Sequence, residues 1–173
     1  SSTFDANNNE TNKINQRWNT VSDSWVNEAQ FFWSYNAANL NTERVYQQWD
    51  TLAISWVNYE KMIRIFDVNN YQIVLKFERW DSGAAAWSNF TSTLSNNDAN
   101  GNSLLVTSRE WDDINLGWKN KNQWSYNWDA NDNQTLYSYS SWDTTSNSWQ
   151  GNYQYLTSYD INENRIGYMR QNW

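Results

Sequence analysis

Trp18, Trp49, Trp80, Trp111, Trp142 and Trp173 stand 31 residues apart. A second series, Trp25, Trp56, Trp87, Trp118 and Trp149, keeps the same interval, and so does a third: Phe4, Tyr35, Phe66, Asn97, Trp128 and Tyr159. No insertion or deletion interrupts any of them. A fixed period of this length means one supersecondary unit copied in tandem, each copy covering its apolar surface against its neighbours. The 173 residues hold five full repeats and part of a sixth. We expect residues 1–173 to be a single repeat array. Neither end departs from the pattern as a capping repeat would, so the chain reads as a window of a longer array.

Two turn signals alternate within each repeat. Asp98-Ala99-Asn100-Gly101-Asn102 carries Asn-Gly, the hairpin signal that suits a type I′ turn with positive φ at both central residues. The Gly101 position is filled elsewhere by Asn8, Asn39, Asn70, Asp132 and Glu163. All but Glu163 tolerate the left-handed region. The second turn lies between the two Trp, over 19–24, 50–55 and 112–117, for example. Each opens with Asn or Asp, whose side chain can close an Asx-turn.

Strands of about ten residues fit between these turns, for example Ser103 to Trp111 and Trp118 to Trp128. Alternation then predicts that Trp118, Trp124, Tyr126 and Trp128 share one face, as do Trp25, Phe31, Trp33 and Tyr35. Trp18 and Trp25 are expected to meet across their hairpin. The predicted fold is all-β: tandem antiparallel hairpins in a continuous meander, with an open spiral or solenoid ribbon favoured over a closed barrel. The absence of proline suits uninterrupted ladders.

Aromatics make up 18% of the chain, with 14 Trp, although mean hydropathy is only −0.97. Such a chain can bury large aromatic surfaces, so it reads as folded rather than disordered. The net charge of −7 opposes nucleic-acid binding, which needs cations against phosphates, and adsorption to anionic membranes. No apolar run is long enough for a spanning helix. With neither Cys nor His, disulfides, thiolate metal sites and the commonest general base are excluded.

The aromatic-Asp-x-Asn-Gly turn resembles the YD repeats of Rhs-type and teneurin-type proteins, which form spiralling β-hairpin shells, although those repeats are shorter. The fuller pattern, Trp49-Asp50 followed by Trp56-Val57-Asn58-Tyr59 and Phe66-Asp67-Val68-Asn69-Asn70, resembles Trp-rich repeats of large secreted Bacteroidetes proteins exported by type IX secretion. The resemblance covers essentially the whole chain. It implies a secreted or cell-surface location and an adhesin, filament or shell role. It brings no catalytic residues.

Asp98, Asn100 and Asn102 have the oxygen spacing of a calcium loop, but each turn offers one carboxylate, and hydrogen-bonded turn chemistry accounts for the same residues. The regular Trp series read as core. Trp33, Trp124 and Trp128 are the candidates for stacking on surface glycans. Carboxylates recur at turns rather than as one asymmetric pair, so no enzyme, catalytic residue, metal or cofactor is expected. Asn97, which replaces an aromatic, reads as drift. The expected function is an extracellular structural or adhesive segment, with fibre formation by self-association as an extension. A carbohydrate-binding module is the alternative.

Overall fold

The four-residue turn between the Trp forms because its first side chain satisfies the backbone that bends around it. Asn19 Oδ1 accepts the N–H of Val21 at 2.9 Å and of Ser22 at 3.3 Å. Asp50 does the same for Leu52 and Ala53, and Asp81 for Gly83 and Ala84. The last turn residue is left-handed in every copy: Asp23, Ile54, Ala85, Leu116 and Asn147 have φ of 49–54°. This side-chain closure is the Asx-turn that the sequence predicts.

The five-residue turn differs from its prediction. Only one residue per copy has positive φ, the Gly101 position, with Asn8, Asn39, Asn70, Asp132 and Glu163 at 59–68° and Gly101 at 91°. The type I′ geometry is therefore corrected to a three-residue loop: a turn followed by one left-handed residue. Asp98 N–H donates to the Asn102 carbonyl at 2.9 Å, and Gly101 N–H donates back to the Asp98 carbonyl at 3.2 Å. Even Glu163 adopts the strained conformation, because the flanking strands and Asp160 fix it.

The computed structural model describes residues 1–173. Twelve strands and no helices form: β1 (Ser2–Phe4), β2 (Glu10–Asn19), β3 (Ser24–Tyr35), β4 (Asn41–Asp50), β5 (Ser55–Phe66), β6 (Gln72–Asp81), β7 (Ala86–Asn97), β8 (Ser103–Asp112), β9 (Gly117–Trp128), β10 (Gln134–Asp143), β11 (Ser148–Tyr159) and β12 (Arg165–Asn172). They follow in chain order in one open antiparallel sheet. A ten-residue strand, a four-residue turn, a twelve-residue strand and a five-residue turn account for the repeat length. Residues 1–70 with 75–90 form an N-terminal unit, and residues 71–74 with 91–173 form a C-terminal unit.

In the hairpins β2–β3, β4–β5, β8–β9 and β10–β11 the longer strand carries one residue with no partner across the ladder. Asn15 pairs with Ala29 and Gln16 with Asn27, leaving out Glu28. Tyr59, Lys121 and Asn152 are left out at the matching positions. This β-bulge reverses the alternation. In the C-terminal unit Trp118 faces Trp111, whereas Trp124 faces Val106. Val106 and Trp111 are five apart on a regular stretch of β8, so they lie on opposite faces. The predicted shared face is therefore corrected: Trp118 lies opposite Trp124, Tyr126 and Trp128, and Trp25 lies opposite Phe31, Trp33 and Tyr35.

The regular Trp do meet across their hairpins. Five edge-to-face pairs, Trp18–Trp25 to Trp142–Trp149, have centroids 5.0–5.4 Å apart at 72–75°. Each such pair contributes about 0.5–1.5 kcal/mol beyond area burial. The Asn after the second Trp gains a role here. Gln16 donates to Asn27 at 2.9 Å, Gln47 to Asn58 at 2.8 Å, and Lys76 to Asn89 at 3.2 Å. The reading of these Trp as core is corrected. No side chain is fully buried, and the buried hydrophobic residues are Ala29 and Met62. Extensive contact within each unit runs between consecutive strands, so the rings cover a sheet face instead of filling an interior.

Candidate functional site

The face of the C-terminal unit opposite its Trp pairs is paved with rings. On β9 to β12 it carries Trp124, Tyr126, Trp128, Tyr137, Tyr139, Tyr153, Tyr155, Tyr159 and Tyr168. Strand pairing brings them together: Tyr137 lies opposite Tyr126 and Tyr155, Tyr139 opposite Trp124 and Tyr153. Tyr126 meets Tyr137 edge-on at 5.5 Å, Tyr139 meets Tyr153 at 5.4 Å, and Tyr155 stacks on Tyr168 at 5.5 Å and 20°. Burial, reinforced by Tyr153, pushes the Tyr137 phenol well above its ordinary value. Burial also raises Tyr126. These phenols are protonated hydroxyls, able to donate and accept hydrogen bonds.

A cleft of about 440 Å³ opens in this face, lined by Gln134, Tyr137, Tyr155, Thr157, Tyr159, Arg165 and Tyr168. The repeat explains its place. The column that holds Trp33, Arg64 and Tyr126 in three copies holds the short Thr157 here, as it holds Ser95 two repeats earlier, so no large side chain fills the face at this point. Arg165 overhangs the cleft, its guanidinium 5.4 Å from the Tyr168 ring. Arg170 lies 5.6 and 5.8 Å from Tyr153 and Tyr155. Neither arginine makes an ion pair.

Of the three residues singled out from the sequence, Trp124 and Trp128 lie on this face and Trp33 lies in the N-terminal unit. Trp33 stacks on Phe31 at 5.7 Å, and Trp124 tilts against Tyr139 at 5.8 Å. Trp128 has a structural task. Its indole N–H donates to the Ser103 carbonyl at 2.8 Å. Tyr35 and Tyr159 donate from the same column to Glu10 and Gln134 at 2.9 and 3.3 Å, and Asn97 to Gln72 at 3.2 Å. Asn97 is therefore not drift: it loses the ring and keeps the donor. Composition does not reveal the cleft residues Tyr137, Tyr155, Arg165 and Tyr168. Aligning the columns of the repeat narrows the search to its short side chains, Ser95 and Thr157.

The five-residue turns leave little for a cation. Asp98 Oδ1 accepts the N–H groups of Asn100 and Asn102, both at 2.9 Å, and Oδ2 accepts the Asn102 amide at 3.2 Å. A calcium loop would need an oxygen from Asn102, which presents its nitrogen. Asp5, Asp129 and Asp160 repeat the arrangement. Hydrogen bonds from Asn9 hold Asp5 below the usual carboxylate range, and the backbone N–H groups of Asn133 and Asn164 do so for Asp129 and Asp160. No three acidic side chains gather in a way that could hold a metal ion.

No family model matches the chain, and no curated protein matches it. Among solved structures it is similar to a protein of unknown function from Bacteroides fragilis, at 15% identity and a TM-score of 0.59, over 78% of this chain and 95% of that one. Two DUF3836 family proteins, from Bacteroides vulgatus and Parabacteroides distasonis, overlap 52% of this chain at 13% and 14% identity, with TM-scores of 0.41 and 0.40. At that identity the likeness to the Bacteroides fragilis protein shows the fold alone: an open antiparallel meander of hairpins.

Proposed function

We propose that this chain is a structural or adhesive repeat segment of a large secreted or cell-surface protein, and not an enzyme. The observation that carries this reading is that every repeat closes its own turns and contacts chiefly its neighbouring strands. Copies can then be added without a closing strand, which suits a long spacer or fibre. The turn tips support adhesion. Val21, Leu52 and Ile114 are more than nine-tenths exposed in three of the five four-residue turns, as are Val68 and Ile161 in five-residue turns. The YD-repeat and type IX secretion resemblances agree with this location.

Electron microscopy with light scattering tests the reading. Filaments, or a mass of many chains, are the expected result. A monodisperse monomer at all concentrations refutes self-assembly. A second reading, a carbohydrate-binding module, is favoured by one observation: the tyrosine cleft on the C-terminal unit, whose size falls within the range of ligand pockets.

A further inference from the structure

The carboxylates from residue 134 onward are Asp143, Asp160 and Glu163, and all three sit at turns. Between them β10, β11 and β12 present tyrosine faces, hydroxyls and amides, with Arg165 and Arg170 as the cations. In the N-terminal unit Arg44 pairs with Glu60 at 2.8 Å, and Lys61 and Lys76 with Glu78 at 3.1 and 2.6 Å, while Arg64 donates to Asn41 and Arg79 lies over the Phe90 ring. Arg165 and Arg170 lie against rings without an ion pair; Arg170 donates to Asn172, and Arg165 keeps its in-plane donors available to a ligand carboxylate. Asp160 is occupied by the N–H groups of its own turn.

We propose that this cleft binds an acidic sugar, a uronate residue within a polysaccharide, by packing a pyranose face against the exposed Tyr168 and pairing its carboxylate with Arg165. The proposal rests on the carbohydrate reading above and adds the charge of the ligand. An aromatic floor suits the C–H face of a pyranose, while Gln134, Thr157 and the protonated Tyr137 hydroxyl suit its hydroxyls. The unpaired guanidinium selects the acid over its neutral counterpart, because a fork-shaped cation meets a carboxylate through two parallel hydrogen bonds. The two guanidinium groups here, Arg165 and Arg170, are few for a nucleic-acid backbone, since phosphate binding scales with the number of cations engaged.

Calorimetry with trigalacturonate and with a hyaluronan hexasaccharide tests this, with the neutral galactotriose as control. The expected result is binding of at least one acidic probe about tenfold or more tighter than the neutral sugar, weakening as salt rises. Thr157→Tyr refills the cleft with the residue its column carries at 126, and should abolish binding while leaving the melting curve in place. Arg165→Gln should remove the acid preference and keep weak neutral binding. Glu163→Gln should tighten acidic binding a few-fold. Equal affinity for neutral and acidic probes overturns the charge selection and leaves the carbohydrate reading standing. Binding that survives Thr157→Tyr, or absence of binding to all three sugars, overturns the cleft itself. Tighter binding of a single-stranded oligonucleotide also overturns the proposal.

Discussion

Arg44 and Glu60 pair at 2.8 Å on the N-terminal unit, with Met62 buried beside them. Three repeats later the same columns hold Tyr137, Tyr153 and Tyr155. The Tyr137 ring lies 6.1 Å from Tyr153 and 5.7 Å from Tyr155. One backbone frame thus carries an ion pair over a buried thioether in one place and a tyrosine cluster in another. The frame tolerates both because the turns and the cross-strand Trp pairs set the register. Those elements recur in each unit with nearly the same distances. What varies is the chemistry of the opposite face, and that is where ligand recognition can diverge between copies.

The largest expected effect tests the part held in common. Trp49→Ala and Trp142→Ala each remove one half-buried partner of an edge-to-face pair. Each should cost about 2 kcal/mol, somewhat below the range for a fully buried Trp. Urea unfolding giving similar losses in the two units supports a shared frame, and losses differing by more than about 1.5 kcal/mol break it. The next effect tests the contrast. Glu60→Ala leaves Arg44 without its carboxylate and should cost about 1–2 kcal/mol. The double replacement Arg44→Tyr, Glu60→Tyr imports the C-terminal chemistry and should recover most of that loss. Failure to recover it would mean that the columns are not interchangeable.

A smaller effect concerns two positions that depart from the repeat together. Tyr71 replaces the Asn or Leu that ends the other five-residue turns, and Gly101 replaces the Asn, Asp or Glu one repeat later. A Cβ at Gly101 would lie 2.7 Å from the Tyr71 ring Cζ, on a backbone with φ of 91°. Gly101→Asn should therefore destabilise by about 1 kcal/mol. In other copies an Asn such as Asn102 donates to the next turn, here Asp132, at 2.6 Å. Adding Tyr71→Asn should accordingly rescue the variant, and an additive double mutant would refute the compensation.

The last effect is spread over both units. The lowered carboxyl values of Asp5, Asp129 and Asp160 make the folded state bind fewer protons than the unfolded one. Their contribution is complete above the ordinary Asp value of about 4, and is lost as pH falls through the lowered values. Melting temperature should drop on acidification below about pH 4, and Asp129→Asn should flatten that dependence. At the alkaline end, Tyr126 and Tyr137 are raised. Stability from these phenols should hold below about pH 10 and decline above it. Absorbance titration should show them ionising after the exposed tyrosines.

The period, the places of both turns and the facing Trp pairs were legible in the sequence because each is a local event. An Asx side chain closes its own turn within three residues, and the left-handed position of the five-residue turn takes Asn, Asp or Gly in every copy but the one with Glu163; its departure from type I′ geometry was not legible, nor were the left-handed Ile54, Ala85 and Leu116 of the other turn. The hairpin length then sets Trp111 against Trp118. The faces were not legible. The bulge at Glu28, Tyr59, Lys121 and Asn152 falls on a different side chain in each copy and so has no residue signature, yet it reverses the parity of all that follows it. Nor did the ring at Trp128 announce its hydrogen bond to a carbonyl, a task that Tyr35 and Tyr159 share, that Asn97 performs without a ring, and that Phe4 and Phe66 cannot perform. The sequence by itself determined a meander of hairpins in fixed register. Only the tertiary structure decided which columns share a surface, because that depends on an unpaired residue in the ladder and on strands that meet across it. The same pairing sets Thr157 beside Tyr155, Arg165 and Tyr168, and so makes the cleft.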